Sequence, residues 1–306
     1  MEDNKVSIVN RYGDNFTENE YITNPAIGRE EEIKRLCMIL LTPDKSAILT
    51  GEPGIGKTAV VEGLAYQIQK GTIPNALKGY EIVKVDTQAL IGTVKETGDS
   101  RIHALIEELK DMGKAILFVD EIHTLINTSQ NQDSALDFAN MLKTGLGRGD
   151  VKLIGATTTA EYERYVLRDK AFARRFVKIE MFEPNMEETV AILMGTLPKL
   201  EKKTGVKMGY TPFVQERIMT FIVEINKTYN RVYETAGKYP DVALSMLGQS
   251  FSEALFDNKD VMTIKHVESA ITNSKALYPD VIKKGLEEFK ERFEDIFEVE
   301  NKSKEN

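Results

Sequence analysis

The residues with the clearest chemistry in this chain are Gly51-Glu52-Pro53-Gly54-Ile55-Gly56-Lys57-Thr58, a G-x-x-x-x-G-K-T pattern. An apolar run typical of a strand precedes it at residues 47–50, and residues 59–70 follow it with apolar side chains at helical spacing. Glycines in such a turn let backbone N–H groups point at phosphate oxygens, and the helix N-terminus adds partial positive charge. Because the four defining positions and both flanks agree, the sequence predicts a phosphate-binding loop rather than a glycine-rich turn without a ligand.

A second apolar run, residues 116–119, leads directly into Asp120 and Glu121. Alone, this pattern could be a strand followed by an acidic turn. Together with the phosphate loop, it predicts a strand that delivers two carboxylates to a nucleotide. Asp120 is then expected to bind Mg²⁺, directly or through water, and Glu121 to orient and polarise the attacking water. The sequence therefore predicts an ATP hydrolase.

The predicted cofactors are ATP or ADP together with Mg²⁺, and the predicted ligands of Mg²⁺ are Thr58 and Asp120. In the phosphate loop the lysine reaches the β- and γ-phosphates. The predicted loop contacts to the nucleotide come from Gly51, Pro53, Gly54, Ile55, Gly56, Lys57, Thr58 and Ala59.

Composition limits the remaining function classes. The chain has 306 residues, of which 42% are hydrophobic and 29% charged, as in soluble globular proteins. A net charge of −8 disfavours nucleic acid as the main partner, since phosphate backbones require clustered Lys and Arg. No apolar run reaches membrane-spanning length, so we expect a cytoplasmic protein. The single cysteine, Cys37, lies on an apolar helical face and is expected in the core, and the three histidines show no metal-ligand spacing.

The order of the elements predicts an α/β fold, a doubly wound parallel five-stranded sheet with a smaller all-helical lid domain. The five expected strands are residues 47–50, 80–86, 116–120, 151–157 and 177–181. After Pro184 the strand signals stop and helical periodicity continues. The predicted divisions are an N-terminal arm over residues 1–19, a nucleotide-binding domain over 20–183, a helical lid over 184–280, and a C-terminal amphipathic helix and tail over 281–306.

These motifs together resemble the first ATPase module of the Clp-type AAA+ protein unfoldases, over residues 11–195 almost without interruption. Asn24-Pro25-Ala26-Ile27-Gly28-Arg29 is similar to the family's Asp-Pro-Val-Ile-Gly-Arg, and the two ATP-site motifs keep the family's order. Ile154-Gly155-Ala156-Thr157-Thr158 and Arg174-Arg175-Phe176 also fit the family frame. The resemblance implies a ring-shaped homo-oligomer, a hexamer as in the family, that acts on a protein substrate or adaptor.

Further residue roles follow from the resemblance alone. Thr158 matches sensor 1, which monitors the γ-phosphate, although such a threonine could simply cap the next helix. Arg174 and Arg175 match the paired arginines that reach into the neighbouring subunit's site and stabilise charge on the transferring phosphate. Ile27 matches the position beside adenine. The family's sensor 2 region, Pro-Asp-Lys, corresponds to Pro240 and Asp241 followed by a valine.

The pore loop departs from the family. Where the family usually has an aromatic residue after lysine, this chain has Lys95-Glu96-Thr97-Gly98. An aromatic ring can hold an unfolded chain by apolar contact, and a glutamate cannot. A neighbouring residue such as Val94 could make that contact instead. The leading prediction is a Clp-like chaperone that remodels or unfolds a protein partner. The alternative is an ATP-regulated assembly factor or switch that does not thread its substrate. Because no second phosphate loop is present, we expect a stand-alone single module.

Overall fold

The computed structural model describes residues 7–87, 101–127, 151–232 and 237–302. The described chain forms two compact units. The first consists of residues within Met1–Glu52 and Lys57–Phe182, and the second of Pro53–Gly56 together with residues within Glu183–Asn306.

The first unit is built on one six-stranded sheet. Its strands are β1 (Gly13–Asn15), β2 (Ser46–Thr50), β3 (Glu81–Val85), β4 (Ala115–Val119), β5 (Lys152–Thr157) and β6 (Phe176–Glu180). They lie in the order β1-β3-β4-β5-β2-β6, and β2 to β6 pair in parallel. All five predicted strands are confirmed. β2 and β4 are buried along their whole length, which explains their continuous apolar sequences.

The sheet has six strands and not the five predicted, because β1 adds a strand from the segment predicted as an N-terminal arm over residues 1–19. β1 pairs antiparallel with β3, with Gly13 opposite Val85. The segment is held by buried apolar residues on either side, Ile8 at 2% exposure and Phe16 at 3%. A three-residue strand of glycine and polar residues has no hydrophobic period, so its pairing depends on these flanking anchors.

Helices cover the sheet of the first unit. They are α1 (Ile8–Tyr12), α2 (Glu30–Leu41), α3 (Lys57–Lys70), α4 (Arg101–Met112), α5 (His123–Asn127), the short α6 (Thr159–Glu161) and α7 (Lys170–Ala173). α6 continues into a π-helical turn over Tyr162–Val166. α2 begins with three glutamates, which suit the positive end of the helix dipole. Cys37 is buried on α2, as expected for a core residue.

The strand order decides where functional side chains meet. β4, β5 and β2 are consecutive neighbours and run parallel, so their carboxyl ends lie side by side at one edge of the sheet. Three segments leave from that edge: the phosphate loop after β2, Asp120 and Glu121 after β4, and Thr158 after β5. In open α/β sheets, ligands bind outside the carboxyl ends of the strands.

The second unit is mainly helical. Its helices are α8 (Met186–Thr204), α9 (Pro212–Ile225), α10 (Asp241–Phe256), α11 (Ile264–Thr272), α12 (Pro279–Arg292) and α13 (Glu294–Lys302). α8 begins with a capping box in which the Asn185 side chain accepts from the Glu188 N–H and the Glu188 carboxylate accepts from the Asn185 N–H. Gly205 ends α8 with φ of 75°.

The expectation of an all-helical second part is wrong in one detail. Two short strands, β7 (Lys207–Met208) and β8 (Val261–Met262), pair in parallel. Two-residue strands carry too little sequence to show alternation, so their pairing could not be read from the pattern.

The C-terminal segment also differs from the expectation of a single amphipathic helix within residues 281–306. The chain forms α12 and α13, which are separated at Phe293. Phe293 and Phe289 are fully buried in the core of the second unit, where their rings lie 4.9 Å apart. The segment therefore completes the hydrophobic core of this unit. Within the described ranges, no helix combines the length and apolar character needed to cross a membrane.

Candidate nucleotide site

The phosphate loop has the backbone conformation that its glycines predict. Gly54 and Gly56 have φ of 78° and 97°, a region that residues with a β-carbon rarely adopt. Ile55 between them is 1% exposed and anchors the loop by burial. α3 then begins at Lys57, so the first N–H groups of the helix have no carbonyl partner within it and suit an anion. Pro53 is exposed, and Ala59 is partly buried in the first turn of α3.

The Lys57 ammonium lies within this loop. It donates hydrogen bonds to the carbonyl oxygens of Gly51 at 2.9 Å and Glu52 at 3.0 Å, and Lys57 is 9% exposed. Burial lowers the pKa of Lys57, while the charges of Glu121 and Asp120 act in the opposite direction. A cation held at the loop that leads into the first turn of α3 is suited to bind phosphate.

The side chains of Thr58 and Asp120 meet beside the loop. The Thr58 hydroxyl donates to Asp120 Oδ2 at 3.2 Å, which joins the start of α3 to the end of β4. Lys84 Nζ lies 3.9 Å from the same carboxylate oxygen. A hydroxyl oxygen and a carboxylate oxygen are hard ligands of the kind that Mg²⁺ prefers. The two predicted magnesium ligands are thus together, and their donor set fits the ion.

Glu121 stands next to this pair with a backbone φ of 51°, in the left-handed region that few non-glycine residues adopt. Its N–H donates to Asp120 Oδ1 at 3.1 Å. Its side chain is 55% exposed, and its Oε2 lies 3.4 Å from His123 Nδ1. Burial and the nearby Glu161 carboxylate raise the pKa of Glu121. An exposed carboxylate beside the phosphate loop can orient a water molecule.

The end of β5 forms a hydrogen-bonded cluster. Thr158 is the N-cap of α6, where its Oγ1 accepts from the Glu161 N–H at 3.2 Å. Glu161 Oε2 accepts from the Thr158 N–H at 3.0 Å, from the Thr158 hydroxyl at 2.7 Å and from the Thr157 hydroxyl at 3.1 Å. Partial burial acts to raise the pKa of Glu161, but the hydrogen bonds from Thr158 lower it on balance. Thr158 therefore caps the helix, and its role as sensor 1 stays a prediction.

The two predicted trans-acting arginines follow α7. Arg174 is exposed, while Arg175 is partly buried. Their backbones are fixed to the start of β2, because Lys45 Nζ donates to the Arg174 carbonyl at 2.7 Å and the Ser46 N–H donates to the Arg175 carbonyl at 2.9 Å. The main chain that carries the two guanidinium groups is therefore attached to the central sheet.

The remaining predicted contacts lie in both units. In the first unit, Ile27 is partly buried just before Gly28, which has φ of 71°. In the second unit, Pro240 is buried and Asp241 begins α10. A β-carbon added to Gly54, which is grouped with the second unit, would lie 2.8 Å from Asp241 Cβ. The roles of Ile27, Pro240 and Asp241 at a nucleotide stay predictions. The segment Lys95-Glu96-Thr97-Gly98 and Val94 lie outside the described residues.

Sequence reasoning missed two neighbours of Glu121. His123 Nδ1 lies 3.3 Å from Glu161 Oε2 and 2.9 Å from Thr157 Oγ1, as well as close to Glu121. The search for metal-ligand spacing among histidines could not find this group, because Glu161 comes from a different strand end. One signal was available, since Thr158-Thr159-Ala160-Glu161 has the T-x-x-E pattern of a capping box.

Comparisons with known proteins agree with this geometry. Residues 47–183 match the profile of the ATPase family associated with various cellular activities (AAA). The chaperone protein ClpB of Aquifex aeolicus is 35% identical over 291 residues, which are 94% of this chain and 28% of that protein. ClpB of Clostridium perfringens is 42% identical over 206 residues, which are 65% of this chain and 24% of that protein.

Solved structures of Hsp104 share the fold. A closed-state structure of Hsp104 with ATPγS and FITC casein has a TM-score of 0.73 and 33% identity, over 87% of this chain and 45% of that chain. The extended Saccharomyces cerevisiae Hsp104:casein complex has a TM-score of 0.70 and 35% identity, over 83% and 43% of the two chains. The present chain thus spans between about a quarter and a half of the length of the proteins it matches.

Proposed function

This chain carries a Clp-type AAA+ ATPase module that binds nucleotide and hydrolyses ATP, and from that premise we propose that it uses hydrolysis to remodel or unfold a protein partner. We further propose that it works as a ring-shaped homo-oligomer, a hexamer, in the cytoplasm. The observation that carries the proposal is the meeting of Thr58, Asp120 and Glu121 beside the phosphate loop in a chain similar to ClpB over 94% of its length.

Each part of the site has a role in this reaction. Lys57 and the loop N–H groups hold the β- and γ-phosphates, so Lys57 exchanges its carbonyl partners for phosphate oxygens. Glu121 orients the attacking water and accepts its proton. Thr58 and Asp120 would hold Mg²⁺, which would neutralise the negative charge of the phosphates.

Hydrolysis in this proposal depends on assembly. Arg174 is exposed on a backbone that is attached to β2, so it can reach a nucleotide held by another copy of the chain. Arg175 has the same function or supports it. Nucleotide-driven movement of the lid, which we assign to residues 184–280, then transmits force to the bound partner.

A trapping experiment tests the proposal. Hsp104 has been solved with casein, so fluorescein-labelled casein is a suitable probe. Glu121→Gln should keep ATP bound and raise the fluorescence anisotropy of casein in an ATP-dependent way, because hydrolysis is blocked while the bound state persists. Lys57→Ala is the matched control, and it should leave anisotropy at its nucleotide-free value. Equal anisotropy with and without ATP for Glu121→Gln would contradict the proposal.

A second candidate is an ATP-regulated switch that binds its partner without threading it. The observation that favours it is Glu96, which stands where the family usually places an aromatic residue. Replacing the charge with a ring, Glu96→Tyr, should create grip on a generic unfolded substrate, seen as substrate-stimulated ATPase activity. Glu96→Gln is the control that removes the charge without adding a ring. If substrate already strongly stimulates the ATPase activity of the wild type, and Glu96→Tyr does not change it, remodelling by threading would be favoured.

A further inference from the structure

We infer that Glu121, His123 and Glu161 form an inhibitory binding site for Zn²⁺. One potential ligand atom from each of the three lies within 4.8 Å of the others. All three residues belong to the first unit, in which Glu121 and His123 follow β4 and Glu161 lies on α6 after the neighbouring strand β5. The inference concerns the ATPase site, so its inhibitory consequence rests on the proposed role of Glu121, whereas zinc binding itself does not.

The distances suit a tetrahedral ion. Zinc binds imidazole nitrogen and carboxylate oxygen at about 2.0–2.2 Å, so two ligands of a tetrahedral site lie about 3.3–3.5 Å apart. His123 Nδ1 lies 3.4 Å from Glu121 Oε2 and 3.3 Å from Glu161 Oε2. Two edges of the tetrahedron therefore already have the required length. Glu121 is 55% exposed and can change rotamer to close the third edge.

The donor types select the metal. An imidazole with two carboxylates suits zinc, whereas Mg²⁺ prefers oxygen ligands in octahedral geometry and keeps several waters. Three protein ligands with an open fourth position for water are a common arrangement for zinc. The Mg²⁺ ligands proposed above, Thr58 and Asp120, are different residues, so the two metal sites share no protein ligand.

The surroundings hold two of the ligands in place. The hydroxyls of Thr157 and Thr158 and the Thr158 N–H all donate to Glu161 Oε2, and His123 Nδ1 lies 2.9 Å from Thr157 Oγ1. These contacts orient both side chains, and a bound zinc ion takes the place of one donor at Glu161 Oε2 and of the contact between His123 and Thr157. The His123 ring stacks on Tyr165 with centroids 5.9 Å apart and is only 13% exposed. Hydrogen-bonded carboxylates and oriented imidazoles are typical around metal ligands.

The consequence follows from the identity of one ligand. A Glu121 carboxylate that coordinates zinc cannot orient the attacking water. Lys57 and Thr58 are not in the cluster, so nucleotide binding is retained. Zinc should therefore lower kcat for ATP hydrolysis without raising KM for Mg·ATP.

The direct test is calorimetric titration of the nucleotide-free full chain with Zn²⁺. We expect one binding event in the wild type, weakened at least about tenfold in His123→Ala and in Glu161→Gln. Glu161→Gln keeps a side-chain oxygen that can accept the capping N–H. It therefore tests the site even if His123→Ala does not fold. His103→Ala, at an exposed position on α4, is the matched control and should bind as the wild type does.

A third variant separates this site from the magnesium ligands. If Asp120→Asn abolishes zinc binding while His123→Ala and Glu161→Gln keep it, the ion occupies the magnesium position and the inference is wrong. Wild-type affinity in both cluster variants would also overturn it. In ATPase assays with excess Mg·ATP, the zinc-dependent fall in kcat should disappear in His123→Ala relative to its own zinc-free rate.

Discussion

At the residue scale, Lys57 in the phosphate loop and Glu121 after β4 lie in different environments that suit different roles. Lys57 is buried and donates hydrogen bonds to two carbonyl oxygens, which hold its ammonium group in place for phosphate binding. Glu121 is largely exposed and held in a left-handed backbone conformation, as suits a group that must face water. In the proposed mechanism Lys57 binds phosphate and Glu121 activates water, so substitutions at the two positions should have different kinetic effects.

Lys57→Ala removes the cation of the phosphate loop. The loss of a buried charged partner costs about 2–5 kcal/mol, so we expect nucleotide affinity to fall by at least about 30-fold. Fluorescent ADP titration measures the effect directly. Lys34→Ala, which removes an exposed lysine on α2, is the control and should bind as the wild type does. Near-normal affinity of Lys57→Ala would refute the assignment of the loop.

The local motifs of the site could be predicted from the sequence because each lies within a few consecutive residues. The contact between Thr58 and Asp120 followed from parallel strands that end at one edge. The approach of His123 to Glu161 could not be predicted in this way. It depends on the turn after β5, which sets the position of Glu161 through its bonds to Thr158.

At the element scale, prediction succeeded where a hydrophobic period or run was long enough to read. The five parallel strands and the principal helices of the second unit are examples. β1, β7 and β8 have two or three residues each, so neighbouring buried residues decide their pairing. The break between α12 and α13 could not be predicted for another reason. Its apolar spacing continues through Phe293, and packing against Phe221 fixes the break.

Phe293→Ala tests the packing of the C-terminal helices. Phe221, Phe289 and Phe293 form one aromatic cluster with centroid distances of 4.9–5.9 Å. Truncating a buried phenylalanine costs about 3–5 kcal/mol, and we expect that loss in the second unit. Native-state hydrogen exchange of α9 and α12 amides reads the unfolding free energy of this unit alone.

Phe256→Ala is the matched control for that measurement. Phe256 ends α10 with 85% of its surface exposed, so its truncation should change the free energy of unfolding by less than about 0.5 kcal/mol. A loss in Phe293→Ala no larger than in Phe256→Ala would mean that the C-terminal helices do not contribute to the core.

At the scale of the whole molecule, the proposed function requires cooperation between copies of the chain. A net charge of −8 and similarity to ClpB both favour a protein partner over nucleic acid. The sequence could indicate this partner class, but ring assembly and threading involve other chains, whose contacts one folded chain does not contain.

The proposed action of Arg174 and Arg175 on a neighbouring copy of the chain predicts a kinetic signature. Arg174→Ala or Arg175→Ala should leave nucleotide affinity intact and reduce hydrolysis by about 10³-fold or more. Arg168→Ala, at an exposed position before α7, is the control and should hydrolyse ATP normally. Mixing the impaired arginine variant with Glu121→Gln should restore some activity, since a mixed ring contains sites with an intact glutamate and an intact arginine. No recovery in rings shown to contain both variants would contradict action in trans.

In the proposed function, ATP hydrolysis drives the remodelling of a protein partner. It is tested most directly by the fluorescence of a tagged, folded fluorescent protein that is incubated with the wild type and ATP, under conditions that prevent refolding. We expect a loss of fluorescence that requires ATP and is absent with Glu121→Gln. Steady ATP hydrolysis by the assembled wild type, together with unchanged substrate fluorescence, would contradict it.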